Sequence, residues 1–168
     1  LWLMTDERLG DGLWAALRRL PSGSGVVFRH YATAARERRK LFRRVARIAR
    51  ARGLVVVRAG ARAGYGEDGV HGAARGNGLR TAPAHDRREA VAAVRRGADV
   101  LFVSPVFATR SHPGAEALGA RKARRIARGL PVTVIALGGM DARRFREMTG
   151  FDGWAAIDAW GAGGSGAK

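Results

Sequence analysis

The chain has 168 residues, 46% apolar and 27% charged, and its 31 Lys and Arg against 14 Asp and Glu give a formal charge of +17. That length suits one domain with one sizeable core, and the apolar share excludes wholesale disorder. The absence of cysteine excludes disulfides, thiolate zinc sites and cysteine nucleophiles, so any metal would need Asp, Glu or the histidines His30, His71, His85 and His112.

No apolar stretch approaches the roughly 18 uninterrupted residues of a membrane span. Val100–Ala108 is among the longest, and Ser104 and Pro105 interrupt it. The opening Leu1-Trp2-Leu3-Met4-Thr5-Asp6 has no basic segment ahead of its apolar residues, so it reads as a strand rather than a secretory leader. The expectation is a cytoplasmic protein without a membrane partner. Its positive field attracts anions: phosphorylated metabolites, nucleic acids or acidic surfaces.

Short apolar runs alternate with helical patterns, which signals βα units and a parallel sheet. Leu1–Thr5 is the first strand, followed by a helix with Leu13, Trp14, Leu17 and Leu20 on one face, broken by Pro21-Ser22-Gly23-Ser24-Gly25. Gly25–Arg29 is the second strand. Thr33–Arg52 is the longest helix, with Leu41, Phe42, Val45 and Ile48 inward and Arg36, Arg39, Arg43, Arg47 and Arg50 on the opposite face. That arginine face reads as a solvated outer surface in preference to a nucleic-acid patch, because no aromatics interleave it.

Leu54–Val57, the residues around Val70, and Leu79–Ala82 are the third to fifth strands, joined by short Gly-rich links. Asp86 and Glu89 form a capping-box variant that opens a helix through Val91 and Val94. Val100–Val103 is the sixth strand and Glu116–Arg128 the next helix. Val132–Leu137 is the seventh strand, after which Asp141 caps a helix through Phe145 and Met148. Trp154–Ile157 is the eighth strand.

Eight parallel strands predict an α/β fold of the TIM type, a (β/α)8 barrel spanning 1–160 with a Gly-rich flexible tail at 161–168. Such barrels take about 250 residues. This one is therefore shortened, with helices reduced around strands three to five and after strand eight. An open doubly wound sheet with fewer strands is the alternative.

Several motifs then point to one family. Val103-Ser104-Pro105-Val106-Phe107-Ala108-Thr109-Arg110-Ser111, followed by Pro113-Gly114 and Leu118-Gly119, resembles the sixth-strand signature of the thiamine phosphate synthase/TenI family. Val134-Ile135-Ala136-Leu137-Gly138-Gly139-Met140 is similar to its seventh strand, and Asp68-Gly69-Val70-His71 to its fourth. Ala84-His85 with Glu89-Ala90, and Leu3-Met4-Thr5-Asp6, resemble its fifth and first strands in the same order.

The resemblance implies a thiamine-biosynthesis transferase that joins hydroxymethylpyrimidine pyrophosphate to thiazole phosphate and releases pyrophosphate. A TenI-like relative that binds and isomerises thiazole phosphate is implied equally. Gly138 and Gly139 would hold the phosphate through their backbone amides, facing Ile157 and Asp158, with Thr109 and Ser111 offering hydroxyls. The bland reading of the two glycines is a tight strand-to-helix turn.

Departures from the family pattern fall at its charged positions. Arg29 is kept but Tyr31 stands where a Lys would sit, and His112 replaces the Lys that closes the sixth-strand motif. The family's Asn-Asp pair falls on Val57 and Arg58, a second metal-ligand Asp falls near Arg75, and a Ser falls on Pro83. The magnesium that the resemblance implies therefore lacks its carboxylates, and no residue is assigned to a metal. Arg58 and Arg75 would neutralise a phosphate directly. Arg29 is either an anion ligand or the ion-pair partner of Asp6, and His112 either a proton donor or phosphate contact, or an exposed loop histidine. His71 reads as packing inside the barrel mouth in preference to a functional role, and His30 and His85 carry less signal.

Three functions follow: the thiamine-biosynthesis protein with small phosphorylated substrates, a catalytically inactive barrel binding a phosphorylated ligand, and a charge-driven nucleic-acid binder, which ranks last. A homodimer is compatible with each.

Overall fold

A computed structural model describes residues 1–60, 65–72, 77–109, 114 and 116–160. All eight strands are parallel and close into one barrel in sequence order: β1 (Trp2–Met4), β2 (Gly25–Phe28), β3 (Val55–Ala59), β4 (Gly69–His71), β5 (Leu79–Ala84), β6 (Val100–Val103), β7 (Thr133–Leu137) and β8 (Gly153–Ala156). The closing ladder pairs Trp2 with Ala155 and Leu3 with Ala156. The open sheet is thereby excluded. The helices are α1 (Gly12–Arg19), α2 (Ala35–Ala51), α3 (Arg87–Arg95), α4 (Gly119–Ala127) and α5 (Ala142–Arg146).

Strand alternation divides the apolar residues between two layers. Trp2, Met4, Val27, Val57, Phe102, Ile135 and Ala155 fill the barrel interior, where the Trp2 and Phe102 rings meet edge to face at 5.3 Å. Gly25 makes room for this packing, since a Cβ there would stand 2.2 Å from the Trp2 ring. The outer layer falls into two clusters. Leu3, Val26, Phe28 and Val56 pack on α1 and α2, while Leu101, Val103, Val134 and Trp154 pack on α3 and α4.

Between these clusters, the described residues of the links from β3 to β4 and from β4 to β5 form no helix, as their Gly-rich composition implies. Polar groups cover β3 there instead. Arg58 is 1% exposed and lies on the same face of β3 as Val56, the helix-facing side. Its guanidinium pairs with Glu67 at 3.2 Å and lies over the Tyr65 ring at 5.3 Å. Arg38 on α2 donates to the carbonyls of Arg29, His30 and Ala59 at 2.9, 2.9 and 2.8 Å, satisfying strand-end acceptors that water cannot reach freely.

Local expectations hold at two helix starts. Asp86 accepts from the Glu89 amide and Asp141 from the Arg144 amide. Glu89 does not return to the Asp86 amide; its carboxylate takes the His85 amide and Nδ1 at 2.8 Å each. The helix expected from Glu116 begins only at Gly119, because the amides of Leu118 and Gly119 donate to the carbonyls of Pro105 and Val106. β5 runs on to Ala84 through Pro83. The expected tail at 161–168 lies outside the described residues.

Removing Glu67 leaves a guanidinium buried without its counter-ion. Glu67→Ala is expected to cost about 3–5 kcal/mol in a urea titration, whereas Arg58→Met with Glu67→Leu should cost much less.

Candidate functional site at the strand C-terminal ends

Parallel closure puts every strand's C-terminal end on one rim, where barrels of this type hold their chemistry. On the β1–β2 side, the Thr5 hydroxyl accepts from the Arg29 amide at 3.0 Å and lies 2.9 Å from His30 Nδ1. The Arg29 side chain donates from Nε to the Thr5 carbonyl at 2.9 Å and pairs with Asp6 at 3.1 Å. Burial pushes the Asp6 carboxyl up, but the hydrogen bonds and charge of Arg8, with Arg29 behind them, bring it below its ordinary value. Burial lowers His30, with Glu7 opposing. The His30 ring stacks on Phe28 at 4.8 Å and its backbone takes φ 27°, the left-handed region.

Across the mouth, His71 ends β4 and lies 2.8 Å from the Thr81 hydroxyl on β5 through Nδ1. Its ring meets Phe102 at 5.5 Å and is 8% exposed. Burial, reinforced by the charge of Arg29, pushes the imidazole down to about 4. His71 is therefore a neutral hydrogen-bonding group near pH 7.

The β6–β8 side of the rim is built by backbone packing. The Val106 amide donates to the Leu137 carbonyl at 2.8 Å and the Phe107 amide to the Gly138 carbonyl at 3.0 Å. Gly138 has φ 97° and Gly139 φ 59°, a region side chains other than glycine avoid. A Cβ on Gly138 would stand 2.8 Å from Pro105 Cα, and one on Gly139 would stand 2.5 Å from the Ala108 carbonyl. The turn after β7 thus lies directly against the loop after β6, beside Thr109. The Gly139 amide meets no acceptor among the described residues. From α5, the Arg144 guanidinium donates to the Gly139 carbonyl and lies over the Phe107 ring at 5.0 Å.

This half of the barrel is where known proteins match. Residues 79–160 fit the family model for thiamine monophosphate synthase. That segment is just under half of the chain, and its likeness is to that family. The thiamine-phosphate synthase of Chloroflexus aurantiacus is 38% identical over 87 residues, which are 50% of this chain and 40% of that protein. The Pyrococcus furiosus enzyme of the same name is 35% identical over 80 residues, 46% of this chain and 39% of the relative. The chain's match therefore spans less than half of those relatives' own length. The solved thiamine phosphate pyrophosphorylase from Pyrococcus furiosus superimposes with a TM-score of 0.80 at 24% identity, over 96% of this chain and 87% of that one. That likeness establishes the barrel fold.

Gly138 and Gly139 follow β7 and Ile157 and Asp158 follow the neighbouring β8, while Thr109 comes one residue after Ala108, on which Gly139 seats. Ile157 turns its side chain into the barrel interior, so only its main chain is offered to a ligand. Asp158 is exposed and near enough to Arg8 to strengthen its charge. Tyr31 is 65% exposed. For Arg29, the structure forms the ion pair with Asp6. Arg58 is a correction: strand alternation turns it to the outer layer, away from the mouth, where Glu67 neutralises it. Ser111, His112 and Arg75 lie outside the described residues. Sequence reasoning missed Arg144, whose signal is its position three residues after the Asp141 cap, and the two Thr–His pairs, which involve strands distant in sequence.

The donor set does not fit magnesium. The ends of β3 and β4 present Ala59, Gly60 and His71, and Pro83 on β5 brings no hydroxyl. Among the described residues, no three histidine or carboxylate groups converge on one point. Magnesium needs hard oxygen ligands, usually including one or two carboxylates.

His71 supplies a direct check. Because its folded value of about 4 lies below its ordinary 6.5, the unfolded chain binds the proton first. Its contribution to stability is complete above pH 6.5 and is lost as pH falls toward 4. In proton NMR, the His71 ring signal should stay at its neutral position from pH 8 to pH 5. Thr81→Val should shift that titration without unfolding the barrel.

Proposed function

We propose that this chain is a thiamine phosphate synthase-type barrel that binds thiazole phosphate on the β6–β8 rim and joins it to hydroxymethylpyrimidine pyrophosphate, releasing pyrophosphate. The observation that carries the reading is the close seating of the Gly138–Gly139 turn on the β6 loop, where a Cβ on Gly139 would stand 2.5 Å from the Ala108 carbonyl. Such a turn lets a phosphate oxygen approach main-chain amides that a side chain would shield. In this reading Gly138, Gly139 and the amides of Ile157 and Asp158 hold the phosphate, and Thr109 and Ser111 add hydroxyls. The Arg144 guanidinium contributes positive charge beside the turn.

Arg29 acts as a positioning residue, tying the end of β2 to Thr5 and Asp6. Tyr31 lies at the exposed edge of the mouth, over an incoming pyrimidine. His112, in the place of the family's Lys, is assigned the proton delivered to the leaving pyrophosphate. A neutral His71 orients the substrate by hydrogen bonding and does not compete for that proton.

The mismatch with magnesium favours a second reading, a TenI-like protein that binds and isomerises thiazole phosphate. Metal-assisted departure of pyrophosphate has no part in that chemistry. Both readings place a phosphate monoester at the same rim.

Two measurements test the assignment. Thiazole phosphate at about 100 times its Kd should raise unfolding stability by about 2.7 kcal/mol, and a flat thermal shift sinks both readings. Turnover with both half-substrates, with and without magnesium, then separates joining from isomerisation. Gly139→Ala puts a Cβ against the Ala108 carbonyl at φ 59° and should weaken thiazole phosphate binding at least tenfold by calorimetry. His112→Ala should lower kcat with little change in that Kd.

A further inference from the structure

We infer that the outer face of α2, with the turn at Tyr65, is a binding surface for the phosphodiester backbone of a nucleic acid, separate from the barrel mouth. Arg36, Arg39, Arg43, Arg47 and Arg50 recur at three- and four-residue spacing and are all exposed. At 1.5 Å per residue they form a row about 21 Å long. Glu37 is the one acidic residue of α2, and it pairs with Lys40 at 3.0 Å. Among the described residues no carboxylate pairs with any arginine of the row. The field of this face is therefore uncompensated.

Folding adds what the helix alone lacks. The Tyr65 turn stands against α2 and closes one side of a cavity of about 360 Å³ lined by Arg43, Arg47, Arg50, Tyr65 and, as its floor, Ala46. Arg50 donates to the Gly66 carbonyl at 3.0 Å, which fixes one end of the groove. The Tyr65 ring carries the Arg39 guanidinium at 5.2 Å and that of Arg58 at 5.3 Å. A linear row of guanidiniums beside a groove suits a chain of phosphates better than one compact anion, because each fork takes two oxygens. With cations over the Tyr65 ring, bases gain no stacking platform there, so recognition rests on the backbone.

Two other occupants fit less well. A membrane-surface helix buries its apolar face in lipid, and here Phe42, Val45, Ala46 and Ala49 are buried in the protein. A protein interface needs an apolar centre, and the large exposed apolar residues described, Leu1 and Tyr31, belong to other segments. The low rank that the sequence assigns to nucleic acid rests on the lack of aromatics within the helix, which does not bear on backbone contacts.

Fluorescence anisotropy with labelled single strands of about 20 nucleotides, from about 50 to about 200 mM salt, reads the surface directly. Five phosphate contacts give a log–log slope of about −3.5, and Arg43→Gln, Arg47→Gln and Arg50→Gln together should make it shallower by about 2. Arg43→Gln with Arg47→Gln keeps the Arg50 bond to Gly66 and should make it shallower by about 1.4. A control, Arg121→Gln, Lys122→Gln and Arg125→Gln on exposed α4, removes the same charge and should change the slope by less than about 0.7. Oligo-dT and oligo-dA should bind within a few-fold of each other. An equal effect of the α4 control would overturn the proposal, as would a strong base preference or tighter binding to phosphatidylserine vesicles than to the strands at equal salt.

Discussion

Among the described residues, the links on either side of β4 supply no helix to cover the sheet, and the outer layer follows from how that gap is managed. The interior is filled by ordinary means: Trp2, Phe102 and a set of valines and alanines, with Gly25 opposite the indole. The outside is where this barrel departs from the usual plan. At β3 the cover is a buried Arg58–Glu67 pair with Tyr65 across it, and Arg38 takes the carbonyls at the ends of β2 and β3. Polar cover of this kind is unforgiving, since each charge is tolerable only while its partner is present.

Arginine consequently appears in three settings. Arg38 and Arg58 act as structural donors inside the fold. Arg29 and Arg144 sit at the rim and orient main-chain segments around the candidate site. The α2 row faces solvent and pairs with no carboxylate among the described residues. The formal charge of +17 is thus a sum over unlike environments, and only the exposed part acts on distant anions.

The two sides of the mouth differ in what holds them. On the β6–β8 side, backbone seats on backbone through the two glycines, and the family-model match runs over β5 to β8. On the β1–β5 side, side-chain pairs such as Thr5–His30 and Thr81–His71 take over. The thiamine monophosphate synthase model covers residues 79–160, while the fold likeness covers nearly the whole chain.

Much of the fold was legible in the order of residues. Period-two and period-3.6 patterns marked the strands and helices, Asp86 and Asp141 announced their caps, and the Gly-rich links beside β4 form no helix among the described residues. The glycine pair after β7 was legible as a tight turn because its backbone chemistry is local. Three things were not legible. The start of α4 depends on carbonyls in the β6 loop, the side on which Arg58 emerges depends on where β3 begins, and the seating of Tyr65 beside α2 depends on a turn outside that helix. Local sequence determined which segments become strands and where the chain turns, since those depend on near neighbours. Only closure decided which arginines are buried and which face solvent, because burial is a property of the assembled layers.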